Sequence, residues 1–144
     1  MGLIKIREDT AVADTKYGDC VKTLPVRKIR EMELMSVGAK DMNGLNVHII
    51  YAYAYETGIT GMSKKPHVHT YDEAVFFIGS DPRHFSDLGA EVEMSIGAEE
   101  EKHTFNKATV VVLPAGVPHC PIVTKSITRP YLCMAVSMTG HRED

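Results

Sequence analysis

Most apolar residues of this sequence fall in short runs that are rich in β-branched and aromatic side chains and end at turn residues. The clearest runs have the length and composition of strands, and they cover residues 46–55, 74–78, 91–96, 109–113 and 131–136. One of them alternates strictly, because Val92, Met94 and Ile96 are separated by polar side chains. Several short strands with frequent turn signals are typical of an all-β sandwich or barrel. We therefore predict an all-β chain with little helix.

The first third of the sequence is the least regular part. Residues 27–35 place Ile29 and Met32 on one side of a two-turn helix, but an irregular edge segment fits the same residues equally well. The 144 residues fall well below the roughly 250–300 at which chains usually divide into domains. We predict one domain, with N-terminal strands or an arm in residues 1–43 and the barrel core in residues 44–139.

Charge and cysteine content argue against several classes of protein. The sequence has 16 Lys and Arg against 19 Asp and Glu, so no strong field attracts nucleic acid or an anionic membrane. No apolar run approaches the roughly 20 residues of a membrane-spanning helix, and charges occupy the first residues, where a secretion signal is apolar. Three cysteines without a CxxC pair fit free thiols in a reducing compartment. We expect a cytoplasmic protein that binds neither nucleic acid nor membrane.

Two short stretches carry residues that typically bind metals. In the first, His67 and His69 are two positions apart, so their imidazoles project from the same face of an extended backbone, and Glu73 keeps that parity. Two imidazoles and a carboxylate on one side are the facial arrangement that holds a divalent transition metal and leaves positions open. In the second, a Pro114-x-Gly116 turn leads into His119, which supplies a third imidazole.

These stretches resemble the two motifs of the cupin superfamily. The first motif, G-x5-H-x-H-x3,4-E-x6-G, is matched by Gly61, His67, His69, Glu73 and Gly79, with one residue fewer before the last glycine. The second, G-x5-P-x-G-x2-H-x3-N, is matched by Pro114, Gly116 and His119. Ala108 replaces its first glycine, and Val123 replaces its asparagine. The resemblance covers residues 61–123 and implies a double-sheet jelly-roll β-barrel with a metal inside one end.

The candidate ligands define the expected function. Together His67, His69, Glu73 and His119 are expected to hold one divalent transition metal, and this set accepts Fe, Mn, Ni, Co, Cu or Zn. Three neutral imidazoles, one carboxylate and the ion give a net charge of about +1, which favours anionic ligands. We expect an enzyme of oxygenase, isomerase or lyase type that acts on a small polar or anionic metabolite. The alternative is a non-catalytic binding or sensor module that uses the metal to hold a small molecule.

Candidate substrate-binding residues lie outside the motifs. Residues 80–89 read as a loop long enough to cover a site, and Arg83 and His84 are its long basic side chains. On the strand 46–55, His48 faces the cavity if the tyrosines face outward, and Tyr53 is a candidate phenol donor to a bound oxyanion. Cys120 follows His119 directly, so regular strand alternation predicts that its thiol points away from the metal.

A homodimer is the expected assembly. Apolar residues near the start of the chain and a stripe of tyrosines on one strand both need a partner for burial; these are Leu3, Ile4, Ile6, Tyr51, Tyr53 and Tyr55. Cupins often pair through their outer strands and N-terminal segment, so the resemblance implies the same state. Open sheets also leave edges that pairing protects.

Overall fold

The computed structural model describes residues 15–61 and 63–142. In this part of the chain the strands, in order, are β1 (Val26–Ile29), β2 (Met32–Val37), β3 (His48–Ala54), β4 (Gly58–Thr60), β5 (Glu73–Gly79), β6 (Asp87–Ile96), β7 (Glu101–Lys107), β8 (Thr109–Leu113), β9 (His119–Ile127) and β10 (Tyr131–Ser137). Two single-turn 3-10 helices, Gly18–Cys20 and Ala39–Asp41, are the helical elements of the same residues. The prediction of an all-β chain with little helix is confirmed.

The strands form two antiparallel sheets that pack face to face. One sheet has six strands in the order β1-β2-β3-β10-β5-β8, and the other has four in the order β4-β9-β6-β7. From β3 onward, apart from the hairpin of β6 and β7, successive strands alternate between the two sheets as in a jelly roll, whereas β1, β2 and β3 are consecutive neighbours in one sheet. The double-sheet jelly-roll prediction is confirmed. None of the helices in the described residues is long and apolar enough to cross a membrane.

The irregular segment 27–35 is a hairpin. Strands β1 and β2 pair antiparallel, from Val26 opposite Met35 to Ile29 opposite Met32. The connecting turn contains Arg30 at φ 58°, the left-handed conformation that a tight hairpin turn requires. Residues 27–35 are therefore edge structure of the six-stranded sheet rather than a helix.

The apolar core lies between the two sheets. Phe77 and Tyr131 come from the six-stranded sheet, and Leu88, Val92 and Met94 come from β6 of the other sheet; all five are fully buried. Each such side chain stabilises the fold by about 1.5–3 kcal/mol. The barrel therefore has an apolar interior that holds the two sheets together without a bound ion.

The segment expected to be a loop at 80–89 is shorter than predicted. Strand β6 already begins at Asp87, so the connection from β5 comprises residues 80–86. The Gly79 N–H donates to the Phe85 carbonyl at 2.8 Å, which closes the loop tightly. Gly89 lies inside β6 at φ +66°, where its carbonyl accepts hydrogen bonds from the Thr128 and Arg129 N–H groups. The turn-like glycine therefore marks a bend within a strand.

Candidate metal centre

Backbone hydrogen bonds bring the two histidine stretches together. His67 lies on the extended segment before β5, and His119 is the first residue of β9. The two form an isolated antiparallel bridge, in which each N–H donates to the other's carbonyl at 3.0 Å. The bridge holds the two imidazoles side by side, with ring centroids 4.3 Å apart.

The turn at 114–117 joins the same two stretches at a second point. The Gly116 N–H donates to the His69 carbonyl at 2.9 Å, and the Ala115 N–H donates to Oδ1 of Asp72 at 2.9 Å. Gly116 adopts φ +87°, which a residue with a side chain reaches only with strain. The glycine of the second motif is thus needed for the turn that fixes His69 relative to His119.

Three imidazoles and one carboxylate converge at this position. The candidate ligand nitrogens of His67, His69 and His119 all lie within 4.8 Å of one another. Oε1 of Glu73, the first residue of β5, lies 3.3 Å from Nε2 of His119 and 3.9 Å from Nε2 of His69. Two ligands held about 2.1 Å from one ion are about 3–4 Å apart, so these carboxylate distances fit a shared ion.

Two of the ring nitrogens that face this centre lack hydrogen-bond partners within the described residues. Nε2 of His69 and Nε2 of His119 are buried and make no hydrogen bond within the described residues. A buried polar atom without a partner costs about 1–3 kcal/mol, and native structures rarely leave one without a functional reason. A cation bound between these nitrogens and Glu73 satisfies all of them, so the donor set fits a metal ion.

The remaining ring nitrogens are oriented by neighbours. Nδ1 of His119 lies 2.9 Å from the Val117 carbonyl, which can only accept a hydrogen bond, so Nδ1 is the donor there and Nε2 faces the centre. Nδ1 of His69 lies 3.0 Å from the Tyr71 hydroxyl, and the two rings stack with centroids 4.7 Å apart. The His67 ring hydrogen-bonds the backbone of Lys65. Such outer partners typically fix the tautomer and orientation of metal-binding histidines.

Glu73 is held from its other side by two donors. Its Oε2 accepts hydrogen bonds from the Ser137 hydroxyl at 2.8 Å and from Nη1 of Arg142 at 2.8 Å. Burial alone would raise the pKa of Glu73, but His119, Ser137 and Arg142 together lower it to about 2. The carboxylate is therefore ionised across the physiological range, with Oε1 left to face the imidazoles.

Burial also sets the protonation of two histidines. Loss of solvent lowers the pKa of both His67 and His69, and the charge of Arg142 adds to the effect on each ring. Both imidazoles are therefore neutral at pH 7. The neutral ring is the form that binds a metal, because the ligand nitrogen must carry a free lone pair.

Solved structures show the same arrangement of strands. A variant of oxalate decarboxylase from Bacillus subtilis superposes with a TM-score of 0.56 and 12% identity, over 83% of this chain and 28% of that one. A deletion mutant of the same enzyme gives a TM-score of 0.56 and 12% identity, over 84% and 29%. Oxalate decarboxylase is a cupin. The present chain has the cupin fold.

The extent of this likeness limits it to the fold. The chain spans less than a third of the length of the oxalate decarboxylase chains, at 12% identity. No family model matches the sequence, and no curated protein matches it either. The cupin architecture is established by structure, while the chemistry has to be argued from the residues of this chain.

The candidate metal centre opens into a large cavity. The cavity has a volume of about 900 Å³ and is bordered by the ligand candidates, by Arg142 and by apolar side chains, including Ile50, Val75, Ile122 and Ala135. His48 faces it, because His48 pairs with Ser137 across the sheet and Ser137 pairs with Glu73. A hydrogen bond of 3.0 Å joins Nε2 of His48 to the Ser36 hydroxyl. Tyr53 also borders the cavity, but it lies on the opposite face of β3 and is 45% exposed.

The structure does not bring Arg83 and His84 to this cavity. Both are exposed in the 80–86 loop, which leaves β5 at Gly79, whereas Glu73 begins the same strand. At about 3.3 Å per residue, the two ends of β5 are about 20 Å apart. The loop therefore lies at the other end of the barrel from the imidazoles. The expectation that Arg83 and His84 bind a substrate at the metal site is corrected by this geometry.

Cys120 does not follow the strand alternation that the sequence predicts. The residue has φ 84°, which interrupts the regular alternation at the start of β9, so both His119 and Cys120 are buried. Its side chain borders the cavity together with Cys133. Burial raises the pKa of each of these thiols to about 12. Both are protonated at pH 7 and therefore are poor nucleophiles.

Three residues at the centre are absent from the sequence prediction. Tyr71 lies two positions after His69. The alternation of side chains along an extended backbone that places Glu73 on the face of the histidines also places Tyr71 there. Ser137 and Arg142 contact Glu73 from more than 60 positions away in sequence. Their placement depends on the pairing of β10 with β5, for which the sequence carries no motif.

Proposed function

We propose that this protein is a metal-binding cupin in which His67, His69, His119 and Glu73 hold one divalent transition metal. The observation that carries the proposal is the pair of buried Nε2 atoms of His69 and His119, which have no hydrogen-bond partner within the described residues and face Oε1 of Glu73. Four protein ligands leave two positions of an octahedral ion for a ligand. When bound, such an ion supplies Lewis acidity that polarises a coordinated oxygen.

The ligand is a small polar or anionic metabolite, and the protein is an enzyme of oxygenase, isomerase or lyase type. The cavity lining combines apolar side chains with polar and charged ones, so the ion and the polar groups around it hold the polar end of the ligand. The name oxalate decarboxylase denotes an enzyme that acts on a small dicarboxylate, and its fold likeness to this chain supports carboxylates as the first class to screen.

Metal content tests the site directly. We expect elemental analysis of protein purified without added metal, followed by titration with Mn²⁺ or Co²⁺, to give one ion per chain. His119→Ala removes a ligand at the centre of the cluster and is expected to retain less than a tenth of that metal. His84→Ala removes an exposed histidine from the far loop and is the matched control. Full occupancy in both His67→Ala and His119→Ala contradicts the assignment.

Turnover separates an enzyme from a binding module. The metal-loaded protein is incubated with a panel of small carboxylates and hydroxy acids, under air and under argon. Oxygen-dependent turnover with iron identifies an oxygenase, and anaerobic turnover identifies an isomerase or lyase. A rise in Tm with one compound, without turnover of any, identifies the non-catalytic binding module and contradicts the enzymatic part of the proposal.

A further inference from the structure

Arg142 contacts the candidate metal centre although it lies in no motif. Its Nη1 donates to Oε2 of Glu73 at 2.8 Å and to the Ser137 hydroxyl at 3.0 Å. The side chains of Glu73 and Arg142 are 3% and 18% exposed. An ion pair this deeply buried has to be held by the surrounding fold, because both charges lose their water.

The segment after β10 supplies that support. The Met138 N–H donates to the Asp72 carbonyl at 2.9 Å, and the Gly140 N–H donates to Oδ1 of Asn46 at 2.9 Å. The Ala39 N–H in turn donates to the Gly140 carbonyl at 3.0 Å. Any Cβ added at Gly140 would lie 2.5 Å from Cβ of Ala39. The backbone that leads to Arg142 is thus fixed on both sides and places the guanidinium against Glu73.

Arg142 has two physical effects on the centre. By occupying Oε2, it leaves one carboxylate oxygen, Oε1, directed at the imidazoles. Its charge also cancels that of Glu73, so a divalent ion with three neutral imidazoles would give a net charge of about +2 instead of +1. An anion that enters through the cavity, which Arg142 also borders, meets this higher charge.

We propose that Arg142 is a positioning residue that holds Glu73 as a single-oxygen ligand and raises the affinity of the metal centre for anions. The proposal rests on the proposed metal site and names the class of ligand that the site prefers. Removing the positive charge reduces repulsion of the ion, so metal affinity stays the same or increases, while anion affinity falls. A merely structural role predicts that both affinities fall together.

The test uses Co²⁺ as the metal and azide as the anion probe, and it measures the binding of each by visible absorption and calorimetry. Arg142→Gln keeps a hydrogen-bond donor but removes the charge; we expect Co²⁺ to bind at least as tightly as in the parent chain and azide at least tenfold more weakly. Arg142→Lys restores the charge and is expected to restore azide binding to within threefold. Arg142→Ala leaves the Ser137 hydroxyl as the remaining described donor to Oε2 of Glu73 and is expected to change the Co²⁺ absorption spectrum.

One further variant serves as a control. Arg129→Gln removes an arginine that pairs with Asp87 at 3.5 Å, away from the cavity. It is expected to bind azide within threefold of the parent chain. If Arg142→Gln binds Co²⁺ and its azide affinity is unchanged, the proposed role of Arg142 is overturned but the metal site is not. Loss of both Co²⁺ affinity and azide affinity in this variant also overturns the role of Arg142. A parent chain that binds no Co²⁺ overturns the metal site itself.

Discussion

Glu73 links the stability of the metal-free protein to pH. Its pKa is lowered from 4.5 to about 2 in the folded chain. At about 1.4 kcal/mol per pH unit, this difference contributes about 3 kcal/mol to the free energy of unfolding near neutral pH. Because the folded pKa is depressed, the contribution is complete above the unfolded value of 4.5 and is lost as pH falls toward 2. At pH 3, about 1 kcal/mol remains.

Urea unfolding in EDTA at pH 6 and pH 3 measures this effect, with Glu73→Gln as the reference. The glutamine keeps the shape of the side chain but does not titrate, so the parent chain is expected to lose about 2 kcal/mol more than the variant between these pH values. The charge of Glu73 raises the pKa of His67 and His69, so the part of their titration that depends on this charge belongs to the measured difference. An equal loss of stability in the two proteins would refute the reasoning.

Three other predictions concern the outer partners, the thiols and the assembly. Tyr71→Phe removes the hydroxyl at Nδ1 of His69 and is expected to weaken metal binding about 10–100-fold in a metal titration, with the fold intact by circular dichroism. A thiol reagent is expected to modify the exposed Cys20 in the native protein faster than the buried Cys120 and the half-buried Cys133, whose thiols have a raised pKa. Equal rates of modification of the three thiols in the native state would contradict this order. Light scattering is expected to give a dimer of the 15.9 kDa chain, since the outward face of the six-stranded sheet exposes apolar side chains, and a monomer at micromolar concentration would contradict this.

The ligand candidates could be read from sequence because their geometry is largely local. His67 and His69 project from the same face of one extended segment, and a glycine turn three residues before His119 limits where that residue can point. To predict that the two histidine stretches meet, it was enough to expect that their strands belong to the same barrel. The bridge between His67 and His119 provides that contact in the structure.

Other parts of the site depend on pairings that leave no local signal. Ser137 reaches Glu73 because β10 and β5 pair in one register out of several that their apolar patterns allow. Arg142 then depends on how the next five residues are anchored. The position of the loop that carries Arg83 is by contrast predictable, because the strand predicted at residues 74–78 separates it from Glu73 and places it at the other end of the barrel. The leading residues 3–6, on which part of the dimer prediction rests, lie outside the described residues.

The backbone hydrogen bonds between His67 and His119, and from the Gly116 N–H to the His69 carbonyl, have a consequence for how the proposed ion would be acquired. They are made by the backbone, so the spacing of the imidazoles does not depend on a bound cation. Loading would then be a late event on a finished scaffold, and a chelator would strip the ion without unfolding the chain. The identity of the ion would be set by cellular supply as much as by the chain itself.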